Sequence, residues 1–260
     1  MAIQYKTPEQ IEKMHQAGRI VRKVLNRLGE MIAPGVTTQE LDAEAERLCL
    51  AAGAQCLFKG VPGRGGAGPF PGNICASLNE EVVHGIPSRR RRIREGDIVS
   101  IDFGVRYNGW CGDAAETFMV EPVAEDVRRL VAVTRNALEM VVRMCRPGEK
   151  WSTVAGTIQD YIEGEGFSVV REFVGHGIGA SMHEDPKVPN FVSPELQRRD
   201  ILLREGLVLA VEPMVNLGRE AVRVTSDGWT VVTADRLPSA HFEHTLAITA
   251  GQVRVLTDAE

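Results

Sequence analysis

The 260-residue sequence has no CxxC pair, no apolar core at its start (MAIQYKTPEQ) and no uncharged run long enough to span a membrane. Each absence removes a class of protein. Without a signal core or a spanning run, the expectation is a cytoplasmic protein. The five cysteines, Cys49, Cys56, Cys75, Cys111 and Cys145, are odd in number, which points to reduced thiols. Excess positive charge is missing as well. A formal charge of −5 argues against nucleic acid as the main substrate.

What is present is the composition of a globular chain, with 43% hydrophobic and 25% charged residues. Its length suits one large domain or two fused halves.

One stretch organises the rest: GDIVSIDFGVRYNGWCGDAAETFMV, Gly96 to Val120. Two apolar, β-branched runs flank Asn108-Gly109, a strong hairpin signal. Asp102 and Asp113 interrupt them eleven residues apart. A carboxylate among Ile, Val and Phe is costly to desolvate without a partner. Two ionised carboxylates brought together repel unless a cation sits between them. Alone, the pair reads equally well as solvent-facing strand acids.

The order of features along the chain decides between these readings. Thr7-Pro8-Glu9-Gln10 starts a helix that runs to about Met31, and Pro34-Gly35 ends it. Thr37 or Thr38 caps a second helix that stops at Gly53. Residues 136–166 repeat the plan: a break at Pro147-Gly148, a restart at Ser152-Thr153 and a close at Gly166. Gly35 to Gly53 and Gly148 to Gly166 both span eighteen residues. His-Gly-Ile follows each helix pair, at His84 and His176. Next comes an apolar strand with an acid six residues after a glycine: Asp102 after Gly96, Glu212 after Gly206. A second acid completes each set, Asp113 and Glu243. The expectation is a single catalytic domain over 1–260, built from two α+β halves, about 7–121 and 122–250, packed with pseudo-twofold symmetry around one sheet.

The duplication predicts that both halves deliver acids to one place, with His176 in VGHGIG as a neutral nitrogen ligand. Four carboxylates and one imidazole do not suit a structural zinc, which prefers thiolates. They suit oxygen-loving divalent ions, and two such ions balance four carboxylates. An ion pair of this kind can share a hydroxide and clamp a substrate oxygen.

The stretches TPEQIEKM, NEEVVHGIP, GDIVSIDFGV, GDAAETF, GFSVVREFVGHGIG, MHEDP, VEPMVN and DGWTVVTADRLPSAHFEHT resemble the methionine aminopeptidases of bacterial type I. The resemblance covers nearly the whole chain. It implies the pita-bread (creatinase/aminopeptidase) fold, with two α+β halves around one curved antiparallel sheet. It further implies that Asp102 holds one metal ion and His176 and Glu212 the other, with Asp113 and Glu243 bridging. Co, Mn, Fe or Zn would satisfy such ligands.

The implied activity is removal of the initiator methionine from nascent proteins whose second residue is small. A hydroxide bridging the ions would attack the scissile carbonyl. By the same resemblance, His84 faces the peptide nitrogen beyond the scissile bond, and His183 hydrogen-bonds the scissile carbonyl as charge develops. Glu212 would shuttle the proton. Methionine needs a soft apolar slot, for which Phe58, Phe70, Cys75, Met182 and Trp229 are the candidates. The chain departs from the family at the Gly/Pro-rich loop 60–72, at Met182, where an aromatic is common, and around Pro189 to Arg199.

The basic run Arg89–Arg94 reads either as a solvated turn or as a contact for phosphate backbone such as ribosomal RNA. The expected partners are methionyl peptides and nascent chains, with no membrane and no nucleic-acid substrate, and the chain is expected to act as a monomer. Ala2 is small enough for the protein to be its own substrate. Three alternatives stand beside this reading: a proline-specific peptidase, which usually carries a large extra N-terminal domain; a non-catalytic relative, which would have lost ligands; and a metal-buffering protein, which has no need of His84 and His183. The thirty-six residues between His176 and Glu212 leave no room for the helical insertion of the type II enzymes.

Overall fold

The computed structural model describes residues 3–63 and 65–258. Met1 and Ala2, the expected self-processing site, and Arg64 of the Gly/Pro loop lie outside the described residues. The first half runs α1 (Pro8–Met31), α2 (Thr38–Ala51), β1 (Gln55–Cys56), β2 (Cys75–Leu78), β3 (Glu81–Val83), β4 (Ile98–Tyr107) and β5 (Trp110–Met119). The second begins α3 (Glu125–Met144), α4 (Trp151–Gly164), β6 (Ser168–Val169), β7 (Gly175–Gly177), β8 (Glu184–Val188) and α5 (Pro194–Arg198). It continues through β9 (Val208–Val211), β10 (Met214–Asn216), β11 (Val222–Val224) and β12 (Val231–Thr233). It closes with β13 (Ser239–His241), β14 (His244–Thr249) and β15 (Gln252–Val255). Among the described residues, no helix is long and apolar enough to cross a membrane.

Both helices of the first half start at reciprocal caps. The Thr7 hydroxyl accepts from the Gln10 N–H while the Gln10 side chain accepts from the Thr7 N–H, and Thr37 and Glu40 do the same. The second half departs from that plan. Its first helix begins at Glu125, well before Asn136. The restart expected at Ser152-Thr153 lies instead at Trp151, whose preceding residue Lys150 makes no side-chain cap. The Asp200 carboxylate, from the loop before β9, takes the Ser152 N–H at 3.0 Å and the Ser152 hydroxyl. A long-range acid does there what a local threonine does at α2.

The halves nonetheless share their backbone wiring. Gly35 N–H bonds Ile93 O, Ile93 N–H bonds Val36 O and Thr38 N–H bonds Arg91 O. In the second half Gly148 N–H bonds Leu203 O, Leu203 N–H bonds Glu149 O and Trp151 N–H bonds Ile201 O. Each half also has its own core. Val21, Leu25, Leu41, Ile101 and Phe103 pack α1 and α2 onto β4, whereas Leu138, Trp151, Ile158, Val211 and Leu246 pack α3 and α4 onto β9 and β14. Trp151 is fully buried, and its indole N–H is satisfied by Pro189 O at 2.7 Å.

Where one curved antiparallel sheet was expected, the strands among the described residues fall into four hydrogen-bonded sheets. In one, β4 pairs with β1 and β2 along one edge and with β5 along the other; in the largest, the order is β15-β14-β9-β7-β8. These two meet at a central seam. Ala115 and Glu243 exchange backbone hydrogen bonds of 3.4 and 2.9 Å across it. On either side of that pair a threonine hydroxyl enters between the strands. Thr245 Oγ1 donates to Asp113 O (2.8 Å) and accepts from Asp113 N–H (3.1 Å). Thr117 Oγ1 donates to His241 O (2.7 Å) and accepts from His241 N–H (2.9 Å). Inserted hydroxyls spread the strands where direct ladder bonds would close them, which is why the ladders separate here.

Candidate active site

The seam and the two antiparallel ladders beside it, β4–β5 and β9–β14, carry the acids. In the β4–β5 ladder Gly104 opposes Asp113 and Asp102 opposes Ala115. The two aspartates are therefore diagonal neighbours on one face, as the hairpin spacing predicted. In the antiparallel β9–β14 ladder His244 opposes Val211, so Glu212 and Glu243 are the next opposed positions at its end. The duplicated His-Gly-Ile motifs have a shared cause in close backbone approach. A Cβ at Gly85 would lie 2.3 Å from Ala76 O, and one at Gly177 would lie 2.2 Å from Asp185 O. His84 itself sits at φ 59°, a conformation that non-glycine residues rarely adopt and that concentrates at functional sites.

All the residues singled out from the sequence border one cavity of about 110 Å³. Asp102, Asp113, Glu212 and Glu243 line it with His176, and His84 and His183 border it too. Phe58, Phe70, Cys75, Met182 and Trp229 form the apolar wall. Phe70 and Trp229 meet edge to face with centroids 5.1 Å apart. The Trp229 indole N–H donates to Gly68 O at 2.9 Å, tying this wall to loop 60–72. Burial drives the Cys75 thiol well above its ordinary pKa, and the Asp102 and Asp113 charges add to the effect. It is thus an uncharged part of the wall. Val61, also from that loop, lines the cavity and was not anticipated, because a lone valine in a glycine-rich stretch carries no signal.

Asp113, His176 and Glu243 each bring one ligand atom within 4.8 Å of the others. His176 Nε2 lies 3.8 Å from Asp113 Oδ2 and 3.9 Å from Glu212 Oε1. Its Nδ1 is 2.9 Å from Gly177 O. A carbonyl only accepts, so Nδ1 carries the proton and Nε2 presents a lone pair to the acids. Burial, aided by the charge of His183, lowers the His176 pKa to about 4, keeping the imidazole neutral as a metal ligand must be.

The carboxylates behave in the opposite sense. Burial pushes Asp113 up to about 7. Asp102, Glu212 and Glu243 are raised well above the usual carboxylate range by burial and then by the charge of Asp113, to which Glu212 adds at Asp102 and at Glu243. Asp102 Oδ1, Asp113 Oδ1 and Glu243 Oε1 are buried without a hydrogen-bond partner. Buried acceptor-only oxygens converging beside a neutral nitrogen are the donor set of a divalent cation, and a cation would reverse the electrostatic penalty of every one of them. The residues present fit such ions.

One residue of this region escaped sequence analysis. His241 is buried, and its Nε2 lies 3.9 Å from Glu212 Oε2. Only its place two residues before Glu243, the same interval at which Asp113 precedes Ala115 across the seam, would have drawn notice.

The basic run divides. Arg91 pairs with Glu81 at 3.3 Å and Arg92 donates to Gly35 O at 2.7 Å, so both anchor the fold. Arg89, Arg90 and Arg94 are exposed.

The chain is similar to known proteins over nearly its whole length. The model of metallopeptidase family M24 matches residues 12–250. The chain is 46% identical over 252 residues to methionine aminopeptidase 1 of Bacillus subtilis, covering 97% of this chain and 98% of that protein. The crystal structure of a methionine aminopeptidase from Thermotoga maritima superimposes with a TM-score of 0.92 at 41% identity, covering 99% and 100% of the two chains. A prolidase from Pyrococcus furiosus shares the fold at a TM-score of 0.76 and 23% identity, but only 66% of that protein is covered.

Proposed function

The chain belongs to metallopeptidase family M24, and from that premise we propose that it works as a methionine aminopeptidase, removing the N-terminal methionine from chains whose second residue is small. The observation that carries this reading is one cavity lined by two chemically distinct sets of groups. Orphaned carboxylate oxygens and the neutral His176 make up one set, and a soft apolar cluster of Phe58, Phe70, Cys75, Met182 and Trp229 the other. A cavity of about 110 Å³ has room for one side chain, which suits an exopeptidase.

In this reading Asp102, Asp113, His176, Glu212 and Glu243 would hold two divalent ions, whose charge four carboxylates would balance. When bound, the ions lower the pKa of a water and polarise the scissile carbonyl. The protein's own groups do the rest. Glu212 takes a proton from the attacking water and delivers it to the leaving amine. His183 donates to the scissile carbonyl oxygen as negative charge grows there. His84, held by its constrained backbone, faces the peptide nitrogen beyond the scissile bond. The apolar wall selects an unbranched side chain, and loop 60–72 sets its width through the Gly68–Trp229 hydrogen bond. We take the chain as one catalytic unit of two halves, about 7–121 and 122–250, acting as a cytoplasmic monomer. Arg89, Arg90 and Arg94 would be the part of the basic run able to meet ribosomal RNA.

The test is hydrolysis by stripped protein resupplied with Mn²⁺ or Co²⁺, using Met-Ala-Ser, Leu-Ala-Ser, Met-Lys-Ser and an Ala-Pro peptide. Release of methionine from the first alone is expected. Cleavage of the Leu peptide as well would mean a widened pocket, cleavage of the Ala-Pro bond alone would mean a prolidase, and no hydrolysis with any metal would overturn the reading.

A further inference from the structure

Glu212 stands between two imidazoles. Its Oε1 is 3.9 Å from His176 Nε2, and its Oε2 is 3.9 Å from His241 Nε2. His176 belongs to the ion-binding set. His241 has no part in it, yet it is 2% exposed and its Nε2 has no hydrogen-bond partner. An unpaired polar nitrogen in that position is costly. The ring also has little freedom to seek a partner elsewhere. Its backbone is fixed on one side by the Thr117 hydroxyl, at both N–H and C=O, and on the other by pairing with Met214 in the β10–β13 ladder. Asn190 Nδ2 holds the peptide carbonyl of Glu212 at 3.0 Å, so the Glu212 carboxylate is the part left to adjust.

The other orphaned atoms at this cavity, Asp102 Oδ1, Asp113 Oδ1 and Glu243 Oε1, are oxygens that a cation satisfies. His241 Nε2 can be satisfied as a donor, and the acceptor it faces is Glu212 Oε2. Closing the gap to a hydrogen bond takes a carboxylate movement of roughly 1 Å, and catalytic hydrogen bonds are often long in an unloaded site and tighten when it is loaded.

We propose that His241 is a positioning residue: its Nε2–H donates to Oε2 of Glu212 and leaves Oε1 turned toward His176 and the ions. The proposal rests on the reading of Glu212 as ion ligand and proton carrier. A hydrogen bond of this kind sets which carboxylate oxygen meets the ion and keeps the side chain from rotating between turnovers.

The test compares wild type, His241→Leu and His241→Gln, the last of which keeps an N–H donor. For His241→Leu, calorimetric titration with Mn²⁺ is expected to show metal affinity reduced about 10- to 100-fold, and kcat on Met-Ala-Ser to fall by a similar factor with little change in KM. His241→Gln should recover most of both. The melting temperature of the metal-free Leu variant should equal or exceed that of wild type, since an orphaned polar atom has gone. Wild-type kcat and metal affinity in His241→Leu, or a Gln variant as impaired as the Leu variant, would overturn the proposal. If His241→Leu does not fold, nitrogen NMR of the zinc-loaded wild type decides. A protonated, hydrogen-bonded His241 Nε2 supports the proposal, and a bare or zinc-bound nitrogen refutes it. Failure of wild type to hydrolyse any peptide would count against the aminopeptidase reading, while the NMR result would still decide the role of His241.

Discussion

Thr245 holds Asp113 by both polar groups of its peptide backbone through a single hydroxyl. Thr117 does the same for His241. The direct contact between the strands at Ala115 and Glu243 lies midway between these two clasps. The aspartate proposed to bridge the ions is therefore aimed by a residue from the other half of the chain.

Thr245→Val keeps the shape of the side chain and removes the hydroxyl. Two buried backbone groups of Asp113 then lose their partner, at a cost of about 1–3 kcal/mol for each one left unsatisfied. Urea denaturation should show that loss, and Thr245→Ser should show little of it. Metal content after dialysis should fall in the Val variant before activity is lost to unfolding.

Lys6 and Glu184 form an ion pair of 2.7 Å with side chains only 3% and 9% exposed. Glu184 also accepts from the Ser181 N–H, so the pair pins the loop that carries Met182 and His183. Lys6→Met leaves the carboxylate buried and alone, with an expected loss of about 3–5 kcal/mol in denaturant unfolding. Adding Glu184→Gln to that variant should recover part of the stability. Turnover should fall while metal content stays near wild type.

Asp113→Ala and Glu243→Ala should each abolish turnover and reduce bound metal, as measured by elemental analysis of the purified variants. Normal activity with two bound ions in either variant would sink the assignment of both as bridging ligands.

Chelation should make stability depend on pH in a particular sense. In the metal-free protein, burial raises the Asp113 carboxyl to about 7, above its unfolded value of about 3.9. A group raised on folding stabilises fully below its unfolded pKa, and that contribution is lost as pH rises through the folded value. Asp102, Glu212 and Glu243 are displaced in the same direction. The melting temperature of chelated protein should fall between pH 5 and pH 8 by calorimetry. Protein saturated with metal should lack that decline, since the cation favours the ionised carboxylates.

Replacing Arg89, Arg90 and Arg94 with glutamine should weaken co-sedimentation with ribosomes and leave peptide hydrolysis unchanged. Unchanged co-sedimentation would reject the contact. Arg91 and Arg92 are poor choices for this test, because their replacement disturbs Glu81 and the Gly35 turn.

Much of this was legible in the sequence because it was local or repeated. The Thr7 and Thr37 caps follow a four-residue rule, the Asn108-Gly109 turn sets the Asp102–Asp113 diagonal, and the glycine-to-acid interval recurs in both halves. What stayed hidden depends on segments far apart in the chain. Asp200 capping Ser152 joins residues that no local rule connects, and it displaced the expected start of α4. Thr117 and Thr245 read as ordinary strand formers, since nothing near them in sequence marks a seam. His241 reads as one more polar residue before Glu243 until Glu212 is seen facing it. The run at Arg89–Arg94 looks uniform on paper, yet Arg91 and Arg92 are anchored to the fold although four of its five arginines are exposed.

The seam has one further consequence. At the Ala115–Glu243 contact each strand gives its partner what it receives: a threonine for the other's backbone, and a peptide group for a peptide group. Reciprocity of that kind is the mark of an isologous interface, the contact between two identical subunits about a twofold axis. Here it lies inside a single polypeptide, and the copies are free to differ. One places an aspartate where the other places a histidine, so that in the proposed reading Asp113 would serve the ions while His241 serves Glu212, a division of labour that a symmetric pair of chains could not make.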